Sequence, residues 1–485
     1  MYLSDIVTNA YDLFLSIIAL YSLHRLLIIW RFYRYRHLSP QPQRYYSDTD
    51  LPTITVQLPI FNEINVVERL LQAVARLNYP PEKLEIQVLD DSTDETQLVC
   101  QQQLQQLQHH LNIHHIHRRE RTGFKAGALD HGLSMAQGEF IAIFDADFVP
   151  APDTLLKMVH YFSDPQVGMI QARWEHLNRS YSTLTELQAL MLDGHFVAEQ
   201  TSRSRAGCFF NFNGTAGIWR TATIADAGGW QHSTVTEDLD LSYRAQMRGW
   251  RCVYLPHIQV PAELPMEMNS FKSQQFRWAK GSSQVAKLLL PSLLKSHFPA
   301  HIKVEAFFHL TNNFNYLLVL LLLLLSLPYQ LYVTPYSWQY AVFFYVPVSL
   351  ITSISLISFY LIAQRQPANK KLSWDMLRNL GLLMGVGIGL SINQSLAVCD
   401  GLLRNNRDFI RTPKHGVTST TESWLDKKYR AAKNWVPYLE LAMVVYLVLT
   451  IAIALTNHHY LSLPFLVLFL AGYIYTYSLS VFQTR

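Results

Sequence analysis

Five apolar runs, each about as long as a helix that crosses a bilayer, divide this chain of 485 residues. They cover residues 6–30, 307–327, 340–362, 436–455 and 461–482. The polar stretch between the first two runs, residues 31–305, is long enough for a globular domain. The sequence therefore predicts a multi-pass integral membrane protein of a plasma or inner membrane that carries one large polar domain.

Basic residues beside these runs predict how the chain is oriented. Lys and Arg are concentrated at both ends of the polar stretch and between residues 404 and 433, whereas the connections 328–339 and 456–460 have none. Because cytoplasmic loops carry the excess of Lys and Arg, the domain and the 404–433 loop are predicted to be cytosolic, with an external N-terminus and a cytosolic C-terminus. The net charge of +4 follows from this bias and predicts no nucleic-acid partner.

Two apolar segments allow a second interpretation. The first run is interpreted as an uncleaved anchor rather than a signal peptide, because no basic region precedes it and no small-residue cleavage site follows it. Residues 376–403 are apolar and rich in glycine. We interpret them as an interfacial or re-entrant helix, since a full span would place the basic 404–433 loop outside; a true span is the alternative.

The polar domain begins with alternating strand and helix patterns. Short β-branched or apolar runs predict four strands, and a periodicity near 3.6 predicts three helices among them. The strands are 53–58, 84–89, 113–117 and 140–144, and the helices are 66–77, 96–110 and 125–136. This alternation is typical of a parallel sheet covered on both faces, which binds ligands at the carboxyl ends of its strands.

Acidic residues follow two of these strands. Asp145 and Asp147 come directly after the fourth strand, and such a pair binds Mg²⁺ or Mn²⁺ while leaving positions for a diphosphate. Asp90 and Asp91 follow the second strand, where a nucleoside needs hydrogen-bond acceptors. The nearby Asp94 is better explained as a helix cap. The sequence therefore predicts a metal and nucleotide site at this edge of the sheet.

A lysine opens the third predicted helix. Lys125 lies beside the small residues Gly123, Ala126 and Gly127. A helix N-terminus with an ammonium group suits a phosphate or a sugar hydroxyl. An ordinary surface lysine is the alternative.

Eight short motifs then occur in order between about residues 53 and 285. They are 58–63 (LPIFNE), 88–92 (VLDDS), 123–127 (GFKAG), 144–147 (FDAD), 212–215 (FNGT), 236–241 (TEDLDL), 262–265 (AELP) and 274–278 (QQFRW). With them the chain resembles the processive enzymes of glycosyltransferase family 2, the group of cellulose, hyaluronan, chitin and mannan synthases. It is most similar to the cellulose-synthase-like A, or glucomannan synthase, branch. The resemblance implies an α/β GT-A (Rossmann-like) cytosolic catalytic domain embedded in an α-helical transmembrane region.

The resemblance also implies roles for individual residues. Asp238 would be the general base, and Asp145 and Asp147 would bind the metal. The residues implied on the donor side are Glu63, Asp90, Asp91, Lys125, Asp145, Gln274, Arg277, Thr412 and Lys414. The residues implied on the acceptor side are Asn213, Gly214, Glu237 and Trp278.

Three of these roles have alternatives. On a helix, Glu237 and Asp240 would point away from Asp238, which favours structural roles for both. Arg277 suits phosphate and Trp278 suits the acceptor sugar, although an amphipathic helix with an interfacial Trp explains both residues as well. Asn213 stands where many cellulose synthases have Cys, so its acceptor contact is open.

The last match is a loop at residues 409–416 (FIRTPKHG). It resembles the family's gating loop, written F-x-V-T-x-K, with Arg411 in place of Val. In the family this loop closes over the nucleotide, and Thr412 and Lys414 would contact its phosphates. Pro413 and Gly416 suit a mobile loop. A lipid-facing electrostatic role is the alternative.

These interpretations predict six segments. They are an N-terminal transmembrane anchor (1–36), a cytosolic GT-A domain (37–263), interfacial helices with QxxRW (264–303), a transmembrane pair (304–363), an interfacial helix with the gating loop (364–435) and a second transmembrane pair (436–485).

The leading functional hypothesis is an inverting glycosyltransferase that extends a β-linked glucan or mannan from UDP-glucose or GDP-mannose and secretes it. The predicted cofactor is Mg²⁺ or Mn²⁺. The predicted partners are membrane lipids, and a homo-oligomer is compatible with the sequence. The alternative is the transfer of one hexose to a lipid acceptor. A catalytically silent sensor is a third reading, which the presence of Asp145, Asp147, Asp238 and Arg277 disfavours.

Overall fold

The computed structural model describes residues 3–333, 338–365, 373–404, 411–432 and 434–483. Phe409 and Ile410, the first two residues of the predicted gating loop, lie outside the described residues.

Seven strands form one sheet inside the polar domain. They are β1 (Ile54–Ile60), β2 (Leu84–Asp90), β3 (Asn112–His117), β4 (Phe140–Ile143), β5 (Val167–His176), β6 (Gly217–Arg220) and β7 (Arg251–Ala262). Their spatial order is β3-β2-β1-β4-β6-β5-β7. The four predicted strands are confirmed and run parallel. The expectation of a purely parallel sheet is wrong, because β6 runs antiparallel to both β4 and β5.

The first strands form because their residues fit a fully covered sheet. Ile54, Val56 and Leu58 of β1 are completely buried on one face, as β-branched and apolar residues are expected to be. On the other face, Thr55 Oγ1 donates to Glu85 Oε2 at 2.6 Å, and Gln57 Nε2 donates to Gln87 Oε1 at 3.0 Å. These buried polar side chains are paired across β1 and β2, which offsets the cost of removing them from water.

A long N-terminal helix, α1 (Leu3–Tyr35), precedes the domain. The domain helices are α2 (Val67–Val74), α3 (Thr96–Leu107), α4 (Phe124–Leu133), α5 (Thr154–Val159), α6 (Thr183–Asp193), α7 (Thr201–Arg205), α8 (Thr221–Asp226) and α9 (Glu237–Met247). A π-helix, Gly194–Gln200, joins α6 to α7, and short 3₁₀ helices cover Pro81–Lys83 and His160–Ser163. The helices predicted from periodicity correspond to α2, α3 and α4.

In the C-terminal half the described residues are mostly helical, whereas 411–432 form an irregular loop. The helices are α10 (Met268–Lys295), α11 (Ala300–Thr311), α12 (Phe314–Tyr332), α13 (Trp338–Tyr340), α14 (Val346–Arg365), α15 (Trp374–Gly389), α16 (Ser391–Leu403), α17 (Val436–Thr456) and α18 (Leu463–Phe482). A π-helical turn, Ala341–Tyr345, precedes α14, and a 3₁₀ turn, Tyr460–Ser462, precedes α18.

Within the described residues, five helical segments are long and apolar enough to cross a membrane. They are Leu3–Tyr35, Phe314–Tyr332, Val342–Gln364, Val436–Thr456 and Tyr460–Phe482. They correspond to the five predicted runs, except that the second begins at Phe314 because residues 307–311 belong to α11. Helices α15 and α16 bend by 46° at their junction and, taken together, would make a sixth span. This geometry fits either a broken span or a re-entrant loop.

Glycines in the segment at 376–403 explain how it packs. A Cβ on Gly472 of α18 would lie 2.2 Å from the carbonyl oxygen of Gly385 in α15, and a Cβ on Gly389 would lie 2.5 Å from Thr476. Small residues of this kind let helix backbones approach closely. On α16, a Cβ on Gly401 would lie 2.5 Å from the Lys280 carbonyl oxygen of α10. The glycine-rich pair α15–α16 is thus packed between α18 and α10.

A buried ionic cluster joins the N-terminal helix to the domain. Glu305 of α11 is fully buried and accepts a hydrogen bond from Arg203 Nε of α7 at 3.0 Å. His24 and Arg31 of α1 contact the other oxygen of the same carboxylate. A buried carboxylate is tolerated when it is paired and hydrogen-bonded in this way. The cluster therefore fixes α1, α7 and α11 relative to one another.

Candidate active site

Two carboxylates stand just beyond β4, and each is paired with a lysine. Asp145 Oδ1 lies 2.6 Å from Lys125 Nζ in the first turn of α4. Asp147 Oδ2 lies 2.7 Å from Lys414 Nζ and accepts a hydrogen bond from the Glu263 backbone N–H at 3.3 Å. The two lysines come from distant parts of the chain, so this edge of the sheet gathers an Asp-x-Asp pair between two cations.

The pair suits a divalent metal that also binds a diphosphate. Asp145 and Asp147 supply the hard carboxylate oxygens that Mg²⁺ and Mn²⁺ prefer. Within the described ranges no group of three or more His, Cys, Asp or Glu side chains is arranged to hold a metal. An ion bound by these two residues would leave coordination positions for a diphosphate or for water.

The acids line an open cleft. Of the predicted site residues, it is lined by Lys125, Asp145, Asp147, Asn213, Gly214, Glu237, Asp238, Gln274, Arg277, Trp278 and Lys414. The predicted residues that do not line it are Glu63, Asp90, Asp91 and Thr412. The structure therefore brings together the predicted metal, base and acceptor residues and leaves part of the predicted donor set outside the cleft.

Asp238 lies in the first turn of α9. The backbone N–H of Leu239 donates to its Oδ1 at 2.8 Å, while Oδ2 faces Gly214. Burial, followed by repulsion from Glu237, raises the pKa of Asp238 to about 7, although Lys125 opposes this shift. A carboxylate with a pKa in this range is suited to accept a proton near neutral pH.

Glu237, the first residue of α9, also faces the cleft. The expectation that the helix would direct it elsewhere is wrong, because both acids belong to a first turn whose end meets the cleft. Burial raises the pKa of Glu237, and Lys125 opposes the shift. Asp240 differs: its Oδ2 lies 2.6 Å from Arg244 Nη2 on the same helix, which fits the structural role expected of it.

Gly214→Ala is expected to lower the turnover rate of any reaction at Asp238 by about 10²-fold, the typical cost of moving a reacting group by about 1 Å. Gly214 has a φ of +81°, and a methyl group there would lie 2.8 Å from Asp238 Oδ2. The matched control is Gly207→Ala, since Gly207 has a φ of +67° but open space around its Cβ position. An equal loss in both variants would assign the effect to backbone strain rather than to contact with Asp238.

Helix α10 places Arg277 among these acids. Gly281, one turn further along, packs so closely on Thr236 that a Cβ would lie 2.3 Å from its Cγ2. Gln284 Oε1 accepts a hydrogen bond from the Val235 N–H at 3.0 Å. These contacts hold α10 against the segment that leads into α9. Burial lowers the pKa of Arg277, and the surrounding carboxylates oppose the shift.

Asn213 is held by the π-helix beside the cleft. Its Nδ2 lies 2.9 Å from His195 Nε2, and its Oδ1 accepts a hydrogen bond from Gln200 Nε2 at 2.7 Å. The Asn213 backbone N–H donates to Gln171 Oε1 at 2.8 Å. These bonds fix the 212–215 loop and therefore the position of Gly214 opposite Asp238.

Asp90 and Asp91 already have protein partners. Asp90 is fully buried, accepts from the Ser92 N–H at 2.8 Å and lies 2.9 Å from His115 Nε2. Burial opposes its charge, but the hydrogen bonds from His115 and Ser92 hold the pKa of Asp90 below its usual value. Asp91 accepts two hydrogen bonds from Arg118, at 2.8 and 2.6 Å. The nucleoside role of both residues stays a prediction.

The described part of the predicted gating loop packs across the strand ends. Arg411 donates two hydrogen bonds to Glu63, at 3.0 and 2.9 Å, and burial raises the pKa of Glu63 to about 7 despite this pairing. The backbone N–H groups of His415 and Gly416 donate to Glu263 Oε1 at 2.9 and 3.1 Å. Because Glu63 follows β1 and Glu263 follows β7, the loop bridges the two. The loop therefore packs on the domain, and its gating role stays a prediction.

Two further residues, Thr412 and Tyr429, belong to the segment that packs on the domain. Thr412 is buried, and its hydroxyl has no hydrogen-bond partner in the part of the chain that the structure describes. Tyr429 donates through its hydroxyl to Asp94, which also accepts the Thr96 N–H at 3.0 Å. Asp94 thus contacts the start of α3, although the N-cap residue is Glu95 and not Asp94.

Nine residues that line the cleft were not predicted as site residues. Among those outside the motifs are Phe148, Trp174, His176 and Leu192. Trp174 and His176 lie two residues apart at the carboxyl end of β5, so they share one face of that strand. The period-two spacing at the end of a strand was the signal that would have found them, but β5 itself was not predicted.

Comparisons with known proteins agree with this arrangement. A family profile described as "Glycosyltransferase like family 2" matches residues 52–281. A probable glucomannan 4-beta-mannosyltransferase 7 of Oryza sativa subsp. japonica is 41% identical over 50% of this chain and 43% of its own length. A probable glucomannan 4-beta-mannosyltransferase 2 of the same plant is 31% identical over 85% of this chain and 71% of its own length. The chain spans about half the length of several such relatives.

One solved structure shares the fold. The mannosyltransferase PcManGT from Pyrobaculum calidifontis, in complex with GDP-Man and Mn²⁺, matches with a TM-score of 0.54 and 20% sequence identity. The match covers 74% of this chain and 100% of that one. The predicted GT-A fold class is thereby confirmed.

Proposed function

Because this chain belongs to glycosyltransferase family 2, we propose that it is a membrane-embedded, inverting mannosyltransferase that extends a β-linked polysaccharide from GDP-mannose. The plant relatives that are named glucomannan 4-beta-mannosyltransferases support mannose as the sugar and a β-linkage in the product. The observation that carries the proposal is the placement of Asp238 in one cleft with the Asp145–Asp147 pair, Arg277 and Trp278.

In this proposal Asp238 acts on the acceptor. A single displacement at the anomeric carbon inverts its configuration, and the attacking hydroxyl becomes acidic as the new bond forms. Asp238 then accepts the hydroxyl proton, for which its buried carboxylate is suited. Trp278 offers a flat apolar surface to a sugar ring of the acceptor.

The remaining charged groups act on the departing nucleotide. The bond that breaks joins the anomeric carbon to a phosphate oxygen, so negative charge develops on the diphosphate. Lys125, Arg277 and Lys414 line the cleft as cations that can pair with it. A Mg²⁺ or Mn²⁺ ion held by Asp145 and Asp147 would supply further neutralisation of that charge.

The membrane helices bear on which side of the membrane the cleft faces and on where the product leaves. Five helices are long and apolar enough to cross a membrane, and the Lys and Arg distribution supports a cytosolic cleft. Helix α10 carries Arg277 and Trp278 and packs against α16, so the acceptor end of the cleft lies beside the membrane helices. We propose that the growing polysaccharide leaves through this region, surrounded by membrane lipids.

The purified protein in lipid nanodiscs tests the proposal. We expect labelled GDP-mannose, and not UDP-glucose, to give a water-insoluble product that an endo-β-mannanase degrades, provided Mg²⁺ or Mn²⁺ is present. A labelled product that is instead extracted by organic solvent would replace the polysaccharide with a lipid acceptor. Absence of transfer from every nucleotide sugar offered would contradict the proposal.

The transfer rate is expected to rise with pH through a midpoint near 7. Burial raises the pKa of Asp238 to about 7, so this base is protonated and inactive below that pH and ionised above it. Glu63 has a raised pKa of about 7 as well, but it lies outside the cleft lining. The rising limb of kcat/KM against pH, which reports the free enzyme, should therefore persist in Glu63→Gln. A profile that is flat between pH 5.5 and 8.5 would remove Asp238 from the base role.

A further inference from the structure

Trp174 forms part of the wall of the cleft next to Trp278. The ring centroids of the two indoles are 6.4 Å apart, and both side chains line the cleft that contains Asp238. Trp174 also packs against Phe148 and Phe196, each with its ring centroid 5.3 Å away. Its indole Nε1 is buried and has no hydrogen-bond partner among the residues that the structure describes.

His176 stands beside it on the same face of β5. The residue is 7% exposed and lines the cleft, and its Nε2 has no hydrogen-bond partner within the described part of the chain. Burial, with the nearby Arg179 and Arg173, lowers the pKa of His176 to about 4, although Asp193 opposes the shift. The imidazole is therefore neutral near pH 7 and offers one donor and one acceptor nitrogen.

These two side chains match the chemistry of a sugar. A hexose presents apolar C–H faces, which pack on aromatic rings, and hydroxyl groups, which need hydrogen-bond partners. The cations of the cleft, by contrast, lie at the Asp145–Asp147 edge, where Lys125 and Lys414 suit a diphosphate. Trp174 continues the aromatic surface that begins at Trp278, so the pair belongs to the side of the cleft assigned to the acceptor.

We propose that Trp174 and His176 form a sugar-binding wall that contacts the acceptor saccharide and hydrogen-bonds its hydroxyl groups through the indole N–H and the imidazole. This inference rests on the proposed function for the identity of the acceptor. A buried polar atom without a protein partner is costly, and a hydroxyl of the acceptor satisfies it.

The test uses Trp174→Phe and His176→Leu, which keep the bulk of each side chain and remove the hydrogen-bonding group. We expect each variant to raise the KM for β-1,4-mannohexaose by about tenfold or more, in line with the loss of a buried hydrogen bond. The dissociation constant for GDP with Mn²⁺, and the KM for GDP-mannose, should stay within about twofold of the wild-type values. His176→Gln, which retains hydrogen-bonding groups, should recover most of the affinity for the saccharide.

Two control variants distinguish a loss of sugar binding from a general effect of replacing a Trp or a His. Trp250→Phe removes an indole N–H that donates to Asp226 at 2.8 Å, and Trp250 does not line the cleft. His131→Leu removes an exposed imidazole that does not line the cleft either. Both should leave the KM for mannohexaose unchanged. A raised KM for GDP-mannose with an unchanged KM for mannohexaose would overturn the inference by placing the wall at the donor sugar. Unchanged values for both substrates would leave only packing roles for these residues and overturn it as well.

Failure of the proposed function gives a different result. If the wild-type protein transfers no mannose, binding of mannohexaose is followed directly by calorimetry in nanodiscs. Binding that weakens at least tenfold in Trp174→Phe and His176→Leu would support the wall independently of turnover. Equal binding by wild type and both variants, or no binding by the wild type, would contradict it.

Discussion

Asp238→Asn is expected to lower the transfer rate by about 10³-fold, within the range that removal of a general base usually costs. The amide has the shape of the carboxylate and retains an oxygen that can accept the Leu239 N–H, which lies 2.8 Å from Asp238 Oδ1. It cannot take a proton from the acceptor hydroxyl. Binding of GDP should change little, because the predicted nucleotide contacts lie with other residues. The comparison is between kcat in nanodiscs and the dissociation constant of GDP measured by calorimetry.

A second acid on the same helix supplies the control for this variant. Asp240 is buried and ion-paired with Arg244, and it does not line the cleft. Asp240→Asn should lower the thermal unfolding temperature while leaving kcat within a few-fold of wild type. A turnover rate within tenfold of wild type in Asp238→Asn would instead make Glu237, the neighbouring acid in the cleft, the base to test next.

The first half of the sheet was predictable because its signals are local. Apolar and β-branched runs mark β1, β2 and β4, and parallel strands expose their carboxyl ends at one edge, which places Asp90 and Asp145 there. Strand β6 has four residues and is inserted antiparallel between β4 and β5. A local sequence pattern does not predict which distant strands pair with each other. The sequence therefore did not predict that β5 places Trp174 and His176 in the cleft.

The same distinction applies to the site residues. Asp147 and Asp238 were predicted from motifs that are each a few residues long. The pairing of Arg411 with Glu63 joins positions 348 apart in the chain, and no periodicity encodes it. Glu237 was misjudged for a different reason. Helical spacing predicts that neighbouring residues point to different sides of a helix. Glu237 and Asp238 both line the cleft because the N-terminal end of α9, and not one side of it, faces the cleft.

Asp147→Asn is expected to weaken the affinity for Mn²⁺ in the presence of GDP by more than about 100-fold, since even indirect partners of a metal ligand typically contribute about 10–100-fold. Transfer should fall to a similar extent, because the charge that develops on the diphosphate would lose part of its neutralisation. Calorimetric titration of Mn²⁺ into the GDP-bound protein measures the affinity. The matched control is Asp153→Asn, a half-buried acid six residues along that pairs with Lys157 at 2.6 Å.

Lys414→Met tests whether Asp147 binds the metal ion or only holds the loop that carries Lys414. Lys414 Nζ lies 2.7 Å from Asp147 Oδ2, so the ammonium competes with a metal ion for the same carboxylate. Its removal should therefore preserve or strengthen Mn²⁺ binding while it raises the KM for GDP-mannose, because the proposed contact of Lys414 with the diphosphate is lost. If Asp147→Asn and Lys414→Met instead weakened Mn²⁺ binding equally, the carboxylate would act by holding the loop, and Asp147 would no longer be assigned as a metal ligand.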